Sequence, residues 1–148
     1  QGVSSAASDV YKRQIKNYYN KPGIEVVNSN VTNLSVIGCQ IVNNGRQAIV
    51  ASGASSVSLM TGLQVIDNYI ENNNIANSGS NVISLNFSDM ATISNNTIIG
   101  GTNAPPFAVS LTASCKNTVV GTNTIKNCIG SISNASVNSL VSTQLIAV

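Results

Sequence analysis

The chain has 148 residues and a formal net charge of +2, and 8% of its residues are charged while 43% are hydrophobic. Soluble domains usually have about 25% charged residues, so the polar surface here must come from Asn, Ser, Thr and Gly. The chain has no run of Lys or Arg, and two of its seven basic residues, Lys12 and Arg13, lie in a terminal segment that differs from the rest. A basic stripe with stacking aromatics would be expected for nucleic-acid binding, and no apolar run reaches the roughly 20 residues that cross a bilayer. We therefore expect neither nucleic-acid binding nor a membrane span.

The first fourteen residues do not share the pattern that follows them. Their sequence, QGVSSAASDVYKRQ, contains a stretch that resembles translated sequencing-adapter read-through. The alternative is an amphipathic helical cap, in which Ala6, Ala7, Val10 and Tyr11 would cover an open end of the fold. We expect a non-native, unstructured or capping segment at 1–14 and one repeat domain at 15–148.

From residue 15 onward the chain repeats. Four segments share an alternating apolar frame that ends in isoleucine: LSVIGCQI, LQVIDNYI, ATISNNTI and TVVGTNTI. The isoleucines of the frame, with one earlier register mark, recur at nearly even intervals, as expected of a solenoid repeat. They are Ile15, Ile41, Ile70, Ile98 and Ile125.

Each repeat also contains a second apolar segment after a variable polar stretch. These segments are GIEVV, AIVAS, VISLN, FAVSL and CIGSI, and a third short strand is expected near 57–59 and 137–141. Alternation at period two and β-branched residues favour strands over helices. Three short strands that recur in every repeat predict an all-β fold. The predicted fold is a right-handed, single-stranded parallel β-helix (solenoid) of about five coils, incomplete at both ends.

Stacked coils would place equivalent residues over one another, about 4.8 Å apart. The frame isoleucines form one expected inward column, Leu34 with Leu63 a second, and Val36, Val65, Ile93 and Val120 a third. Asparagine would form two more columns, because its amide both donates and accepts and it tolerates left-handed bends. One contains Asn68, Asn96 and Asn123 with Cys39, and the other contains Asn17, Asn43, Asn72 and Asn127, interrupted by Gly100.

The three cysteines do not indicate a metal site. Cys39, Cys115 and Cys128 form no CxxC pair, and the chain has no histidine. Zinc sites need clustered Cys or His ligands, so we expect buried small thiols instead. No metal and no cofactor are expected.

The frame and its asparagine columns resemble the pectate-lyase-like superfamily of right-handed parallel β-helices, over residues 15–148. The resemblance implies a fragment of an extracellular, secreted or virion-associated protein that binds or processes polysaccharide, such as a phage tailspike, with a homotrimer possible for the full-length protein. One alternative is a bacterial secreted or surface adhesin-like structural solenoid. A second is a polysaccharide lyase or glycoside hydrolase whose active site lies outside the fragment or only partly within it.

Candidate catalytic groups are few. Glycosidic hydrolysis generally needs two carboxyl groups about 5–10 Å apart, and beyond residue 14 the chain has four acids. Asp67 and Glu71, on either side of a bend at Asn68, form the best pair. Their alternative roles are a turn residue and a solvated charge, and these roles are favoured. Enzymatic activity stays open, because no complete active site is visible.

Tyr69 is the candidate ligand-binding residue. It occupies an outward position of its predicted strand, where an aromatic ring could stack on a sugar. The alternative is an exposed side chain that only covers the neighbouring coils. Polysaccharide is the expected partner.

Overall fold

The structure, a computed structural model, describes residues 9–27 and 31–147. These residues form a parallel β-solenoid of short strands, and no helix occurs among them. The strands are short because a residue in the left-handed backbone region ends most of them and turns the chain into the next sheet. The predicted all-β solenoid is confirmed, and four turns separate Ile15 from Ile125.

Three sheets run along the solenoid axis. The first contains β1 (Asp9–Tyr11), β4 (Ser35–Ile37), β8 (Gln64–Ile66), β12 (Thr92–Ser94), β15 (Val119–Val120) and β18 (Leu140–Val141). The second contains β2 (Gln14–Lys16), β5 (Gln40–Val42), β9 (Tyr69–Glu71), β13 (Thr97–Ile99), β16 (Thr124–Lys126) and β19 (Leu145–Ala147). The third contains β3 (Ile24–Val26), β6 (Ile49–Ser52), β10 (Ile83–Asn86), β14 (Phe107–Leu111) and β17 (Gly130–Asn134), and β7 (Met60–Thr61) pairs separately with β11 (Ser88–Asp89).

The register matches the sequence frame. The frame isoleucines are direct partners in the second sheet, and the four from Ile41 to Ile125 are buried. Val36, Val65, Ile93 and Val120 are partners in the first sheet and are also buried. Each buried aliphatic side chain of this kind contributes roughly 1.5–3 kcal/mol, so these columns are the main stabilising element. Crossovers between parallel strands are right-handed in almost all proteins, which is the hand we expect here.

Asparagine forms the predicted ladder inside the bend between the first and second sheets. The backbone N–H of Asn68 and its side-chain Nδ2 donate to Oδ1 of Asn96, at 3.0 and 2.9 Å. Asn96 donates in the same way to Asn123, and the N–H of Cys39 donates to Oδ1 of Asn68 at 2.8 Å. The three asparagines are buried, so their amides replace the strand pairing that the bend interrupts.

The second predicted asparagine column lies at the bend that follows the second sheet. Asn17, Asn43, Asn72 and Asn127 all adopt the left-handed backbone, with φ between 49° and 64°. Asn72 Nδ2 donates to Asn43 Oδ1 at 2.8 Å. A neighbouring buried pair was not predicted: Asn44 Nδ2 donates to Asn73 Oδ1 at 2.8 Å.

Two details differ from the sequence prediction. The third short strand lies at Met60–Thr61 instead of 57–59, where Val57 is in a turn and exposed. In the range 137–141, Val137 forms an isolated bridge with Lys116, and β18 belongs to the first sheet. The sequence frame also missed a last rung, in which Ile146 pairs with Ile125 at the end of a shorter coil.

Of the segment predicted to be foreign or capping, residues 1–8 lie outside the described residues. From Asp9 onward the backbone joins the solenoid, because β1 pairs in parallel with β4. The alternative of a helical cap is therefore wrong for Asp9–Tyr11, which form a strand. Gln14 is the first residue of β2 and pairs with Gln40. The domain boundary at residue 15 therefore stays a prediction.

The last rung is open to solvent. Val141 and Ile146 occupy inward columns, yet they are 36% and 63% exposed. Leu140 and Leu145 beside them are exposed as well. Among the described residues no helix is both long enough and apolar enough to cross a membrane.

Candidate functional site

The outer face of the second sheet carries the predicted site residues. Each strand of this sheet has an inward isoleucine between two flanking residues, and in a strand the flanking residues point to the opposite face. One outward column contains Gln14, Gln40, Tyr69, Thr97, Thr124 and Leu145, and the next contains Lys16, Val42, Glu71, Ile99, Lys126 and Ala147. Val42 is buried although its position is an outward one. The face is thus mixed and mainly polar.

Tyr69 is the only aromatic residue of this face among the described strands. Its side chain is 38% exposed, as the alternation of its strand predicts. The hydroxyl donates a hydrogen bond to Oε2 of Glu71 at 2.9 Å. This bond is possible because residues two apart in a strand project from the same face. The ring is therefore held on the surface with its edge fixed by a carboxylate.

The same hydrogen bond affects the titration of Tyr69. The bond to Glu71, with smaller contributions from desolvation and from the negative charge of Glu71, raises the pKa of the phenol above its ordinary 10.0. The neutral hydroxyl is favoured because ionisation would break the bond and bring two negative charges together. Tyr69 is therefore a hydrogen-bond donor throughout the physiological range.

The two predicted catalytic acids lie at opposite ends of the same short segment. Asp67 is exposed at the bend before β9 and has a φ of 57°. Gly38 and Asn95, at the equivalent bends of the adjacent coils, are also left-handed. Glu71 ends β9, and its neighbours on the adjacent rungs are Val42 and Ile99. The bend geometry gives Asp67 a structural role, and its catalytic role with Glu71 stays a prediction.

Polar contacts continue along the face toward the first coil. Gln14 Nε2 donates to Gln40 Oε1 at 2.6 Å, across two adjacent rungs. Gln40 is in turn the direct partner of Tyr69. The column therefore presents amide, phenol and hydroxyl groups at the spacing of the rungs, about 4.8 Å, and all of these groups can hydrogen-bond to hydroxyl-rich ligands.

A second surface feature lies at the corner after the second sheet. The turn from Tyr18 to Lys21 is closed by a hydrogen bond from Lys21 N–H to Tyr18 O at 3.4 Å. Tyr18 and Tyr19 are 53% and 74% exposed. The next coil places Arg46, also exposed, beside this turn. These residues were not predicted as a site from the sequence, although two adjacent tyrosines beside a Lys-Pro turn were a visible signal.

Loops at this corner also connect later coils. Asn74 Oδ1 accepts hydrogen bonds from the N–H and the hydroxyl of Ser78, both at 2.9 Å. Asn103 Nδ2 donates to the carbonyl of Ile75 at 3.2 Å. The longer polar loop after Asn72 is therefore held by hydrogen bonds within the loop and by a hydrogen bond to the next coil.

The cysteines are placed as packing residues. Cys39 and Cys115 are buried, and Cys128 is half-buried. Burial raises the pKa of the Cys128 thiol to about 11, against an opposing backbone hydrogen bond at Gly100. Within the described residues no group of three or more His, Cys, Asp or Glu side chains is arranged to hold a metal ion.

Comparison with known proteins gives no match: no family model matches the chain, and no curated protein and no solved structure is significantly similar to it.

Proposed function

We propose that the chain is part of an extracellular or virion-associated β-helix protein of the tailspike type that binds polysaccharide along its lateral face. The observation that carries the proposal is Tyr69, an exposed ring on the outer face of the second sheet, fixed by Glu71 and continued by Gln40 and Gln14. Aromatic faces pack on the apolar faces of sugars while amides and hydroxyls bind their hydroxyl groups. The resemblance of the repeat frame to pectate-lyase-like β-helices supports the same class of ligand.

A repeating surface suits a repeating polymer. The outward residues of the second sheet recur at every rung, so a chain of sugars lying along the axis would meet successive polar groups. A homotrimer of the full-length protein, in which such faces meet between subunits, belongs to the same proposal. The proposal extends to hydrolysis or elimination by the full-length protein, with Asp67 and Glu71 as the acids within this chain.

The experiment is binding of the purified chain to a glycan array, followed by affinity electrophoresis in gels that contain the polysaccharides bound. Tyr69→Ala should lower retention at least tenfold, while Tyr69→Phe should keep most of it because the ring remains. Val119→Ala is the matched control, since Val119 is similarly exposed but lies on the first sheet. The proposal fails if no polysaccharide is retained, or if Tyr69→Ala and Val119→Ala behave alike.

The alternative is an adhesin-like structural solenoid. The outer face of the third sheet favours it, because beyond Glu25 its paired outward column of Val50, Ser84, Ser110 and Ser133 has only short side chains. From Val50 to Ser133 this column offers a ligand little more than small hydroxyl groups. Binding of the chain to cell-surface protein, with no retention on any polysaccharide, would favour this function.

The catalytic hypothesis has its own test. The double variant Asp67→Ala/Glu71→Ala should abolish release of reducing or unsaturated sugar ends from a polysaccharide that the wild-type protein cleaves. Unchanged turnover would exclude both residues as catalytic groups. Binding by the double variant, measured in the same gels, separates loss of chemistry from loss of affinity.

A further inference from the structure

The basic residues of this chain are concentrated at one end of the solenoid. Five of the seven Lys and Arg residues lie between Lys12 and Arg46, and Glu25 is the one acid in that range. The later coils carry Lys116 and Lys126 against three acids. With Asp9 of β1 included, the first two coils carry five basic residues against two acids, and Lys16, Lys21 and Arg46 lie within the repeat domain proper. These coils therefore form a positively charged section within a nearly neutral chain.

The corner after the second sheet brings part of this charge together with aromatic rings. Arg46 N–H donates to Lys21 O at 3.2 Å, and Gly45 N–H donates to Tyr18 O at 2.7 Å. These bonds place Lys21 and Arg46 on adjacent rungs, next to the turn that carries both exposed tyrosines. We call the four residues Tyr18, Tyr19, Lys21 and Arg46 the basic corner.

The basic corner is rigidly built. A Cβ atom added to Gly45 would lie 2.1 Å from the backbone nitrogen of Asn20, so the two coils touch backbone to backbone there. Asn74 N–H of the third coil donates to Arg46 O at 2.8 Å. Because three coils pair through this corner, its side chains extend from a fixed base.

We infer that the basic corner binds the anionic groups of an acidic polysaccharide, that is, one bearing carboxylate or sulfate groups. A guanidinium group can bind either group through two parallel hydrogen bonds, and Lys21 adds a second positive charge. The exposed rings of Tyr18 and Tyr19 supply flat faces for sugar rings next to these charges. The inference rests on the proposed polysaccharide-binding function and adds the charge class of the ligand.

Glu25, the acid closest in sequence to Lys21, lies outside the basic corner. Glu25 lies on β3, where it is the exposed outward residue of the third sheet and pairs in register with Val50. It therefore faces away from the second sheet, across the next bend of the chain.

The test uses one polymer backbone in three charge states: dextran, carboxymethyl dextran and dextran sulfate. Affinity electrophoresis of the chain at low salt should show retention by the two charged polymers, and unmodified dextran should be retained at least tenfold less. The double variant Lys21→Gln/Arg46→Gln should lose at least tenfold of the retention. The variant Tyr18→Ala/Tyr19→Ala should lose severalfold, and added salt should weaken binding because exposed ion pairs are screened.

The matched control is Lys116→Gln/Lys126→Gln, which removes the same charge from the later coils and should change retention less than twofold. Equal losses in the two double variants would overturn the inference, because net charge alone would then explain binding. Equal retention of unmodified dextran would also overturn it while leaving the proposed function intact.

Tighter tyrosine-dependent binding of single-stranded DNA would assign the corner to nucleic acid instead. Comparing retention by carboxymethyl dextran with retention by dextran sulfate identifies the preferred anionic group. Thermal unfolding verifies that each variant is folded.

Discussion

At the scale of single residues, Asn96 satisfies polar groups of three successive coils. Its Oδ1 accepts from the backbone and the side chain of Asn68, and its Nδ2 donates to Val65 O at 2.9 Å and to Asn123. The residue is buried, so water cannot replace these bonds. The amide of Asn96 is therefore part of the backbone pairing of the solenoid.

Replacing Asn96 with alanine should lower the free energy of unfolding by about 2–4 kcal/mol, because it leaves the buried N–H of Asn68 without a partner and removes the hydrogen bonds to Val65 O and Asn123. Urea unfolding followed by circular dichroism measures the change. Asn103→Ala, which removes a single exposed hydrogen bond, should change stability by less than about 0.5 kcal/mol. A loss of that small size for Asn96→Ala would show that the ladder is dispensable.

The Tyr69–Glu71 bond predicts a pH effect. Because the pKa of Tyr69 is raised in the folded chain, the bond is present below pH 10 and is lost as the pH rises through the raised value. In a variant with Tyr11, Tyr18 and Tyr19 changed to Phe, tyrosinate absorbance should therefore titrate above the ordinary tyrosine pKa. Glu71→Gln should shift the titration back toward the ordinary value, and an unshifted titration in both proteins would contradict the bond.

At the scale of strands, β13 places two adjacent isoleucines on opposite faces of the sheet. Ile98 is buried in the frame column, while its neighbour Ile99 points outward beside Glu71. Ile98→Ala should cost about 2–5 kcal/mol of unfolding free energy because it leaves a cavity, and Ile99→Ala should cost far less. Chemical denaturation of the two variants measures this difference. Similar losses would mean that β13 does not bury one face.

The last rung extends this comparison. Ile146 is in the same column as Ile98, yet it is mostly exposed. Ile146→Ala should therefore behave like the outward variant, although its residue type and column are those of the inward one. The comparison separates the effect of burial from that of position in the repeat.

Much of this fold could be predicted from sequence, because one buried residue per coil repeats its chemical type. Ile41, Ile70, Ile98 and Ile125 are direct partners because each coil must fill the same space. Ile146 was missed since the coil that leads to it from Ile125 is shorter than the others. The buried Asn44–Asn73 pair was missed because it spans only two coils and therefore makes no repeat.

The surface was less predictable for a physical reason. The outward position of Tyr69 follows from alternation, so its exposure could be deduced from the sequence. The approach of Arg46 to Lys21 could not, because it depends on the exact path of a bend of variable length. An outward side chain need not match the residue type on the next rung. Outward positions therefore repeat less clearly in the sequence than buried positions do.

At the scale of the molecule, the solenoid has no central core that all parts share. Each coil contacts only its neighbours, so stability is the sum of coil and interface contributions. The middle coils are covered on both sides, whereas the last rung exposes its inward residues.

This gradient should appear in amide hydrogen exchange. The amides of β13 should exchange slowest and those of β18 and β19 fastest, because local opening needs least free energy at an uncovered end. Exchange measured by mass spectrometry on overlapping peptides tests the order. Uniform protection from β4 to β19 would show that the solenoid opens as one unit.

The register has a consequence for how such a chain can change in length. Ile99 is the direct partner of Glu71, so excision of residues 71–98 would join Ile70 to Ile99 and leave every remaining rung in phase. The gain or loss of a whole coil should thus change the packing of the remaining coils little. An insertion or deletion of a few residues within a strand should disrupt it. During evolution the number of coils can therefore change, and with it the length of the solenoid, while the three sheets keep their register.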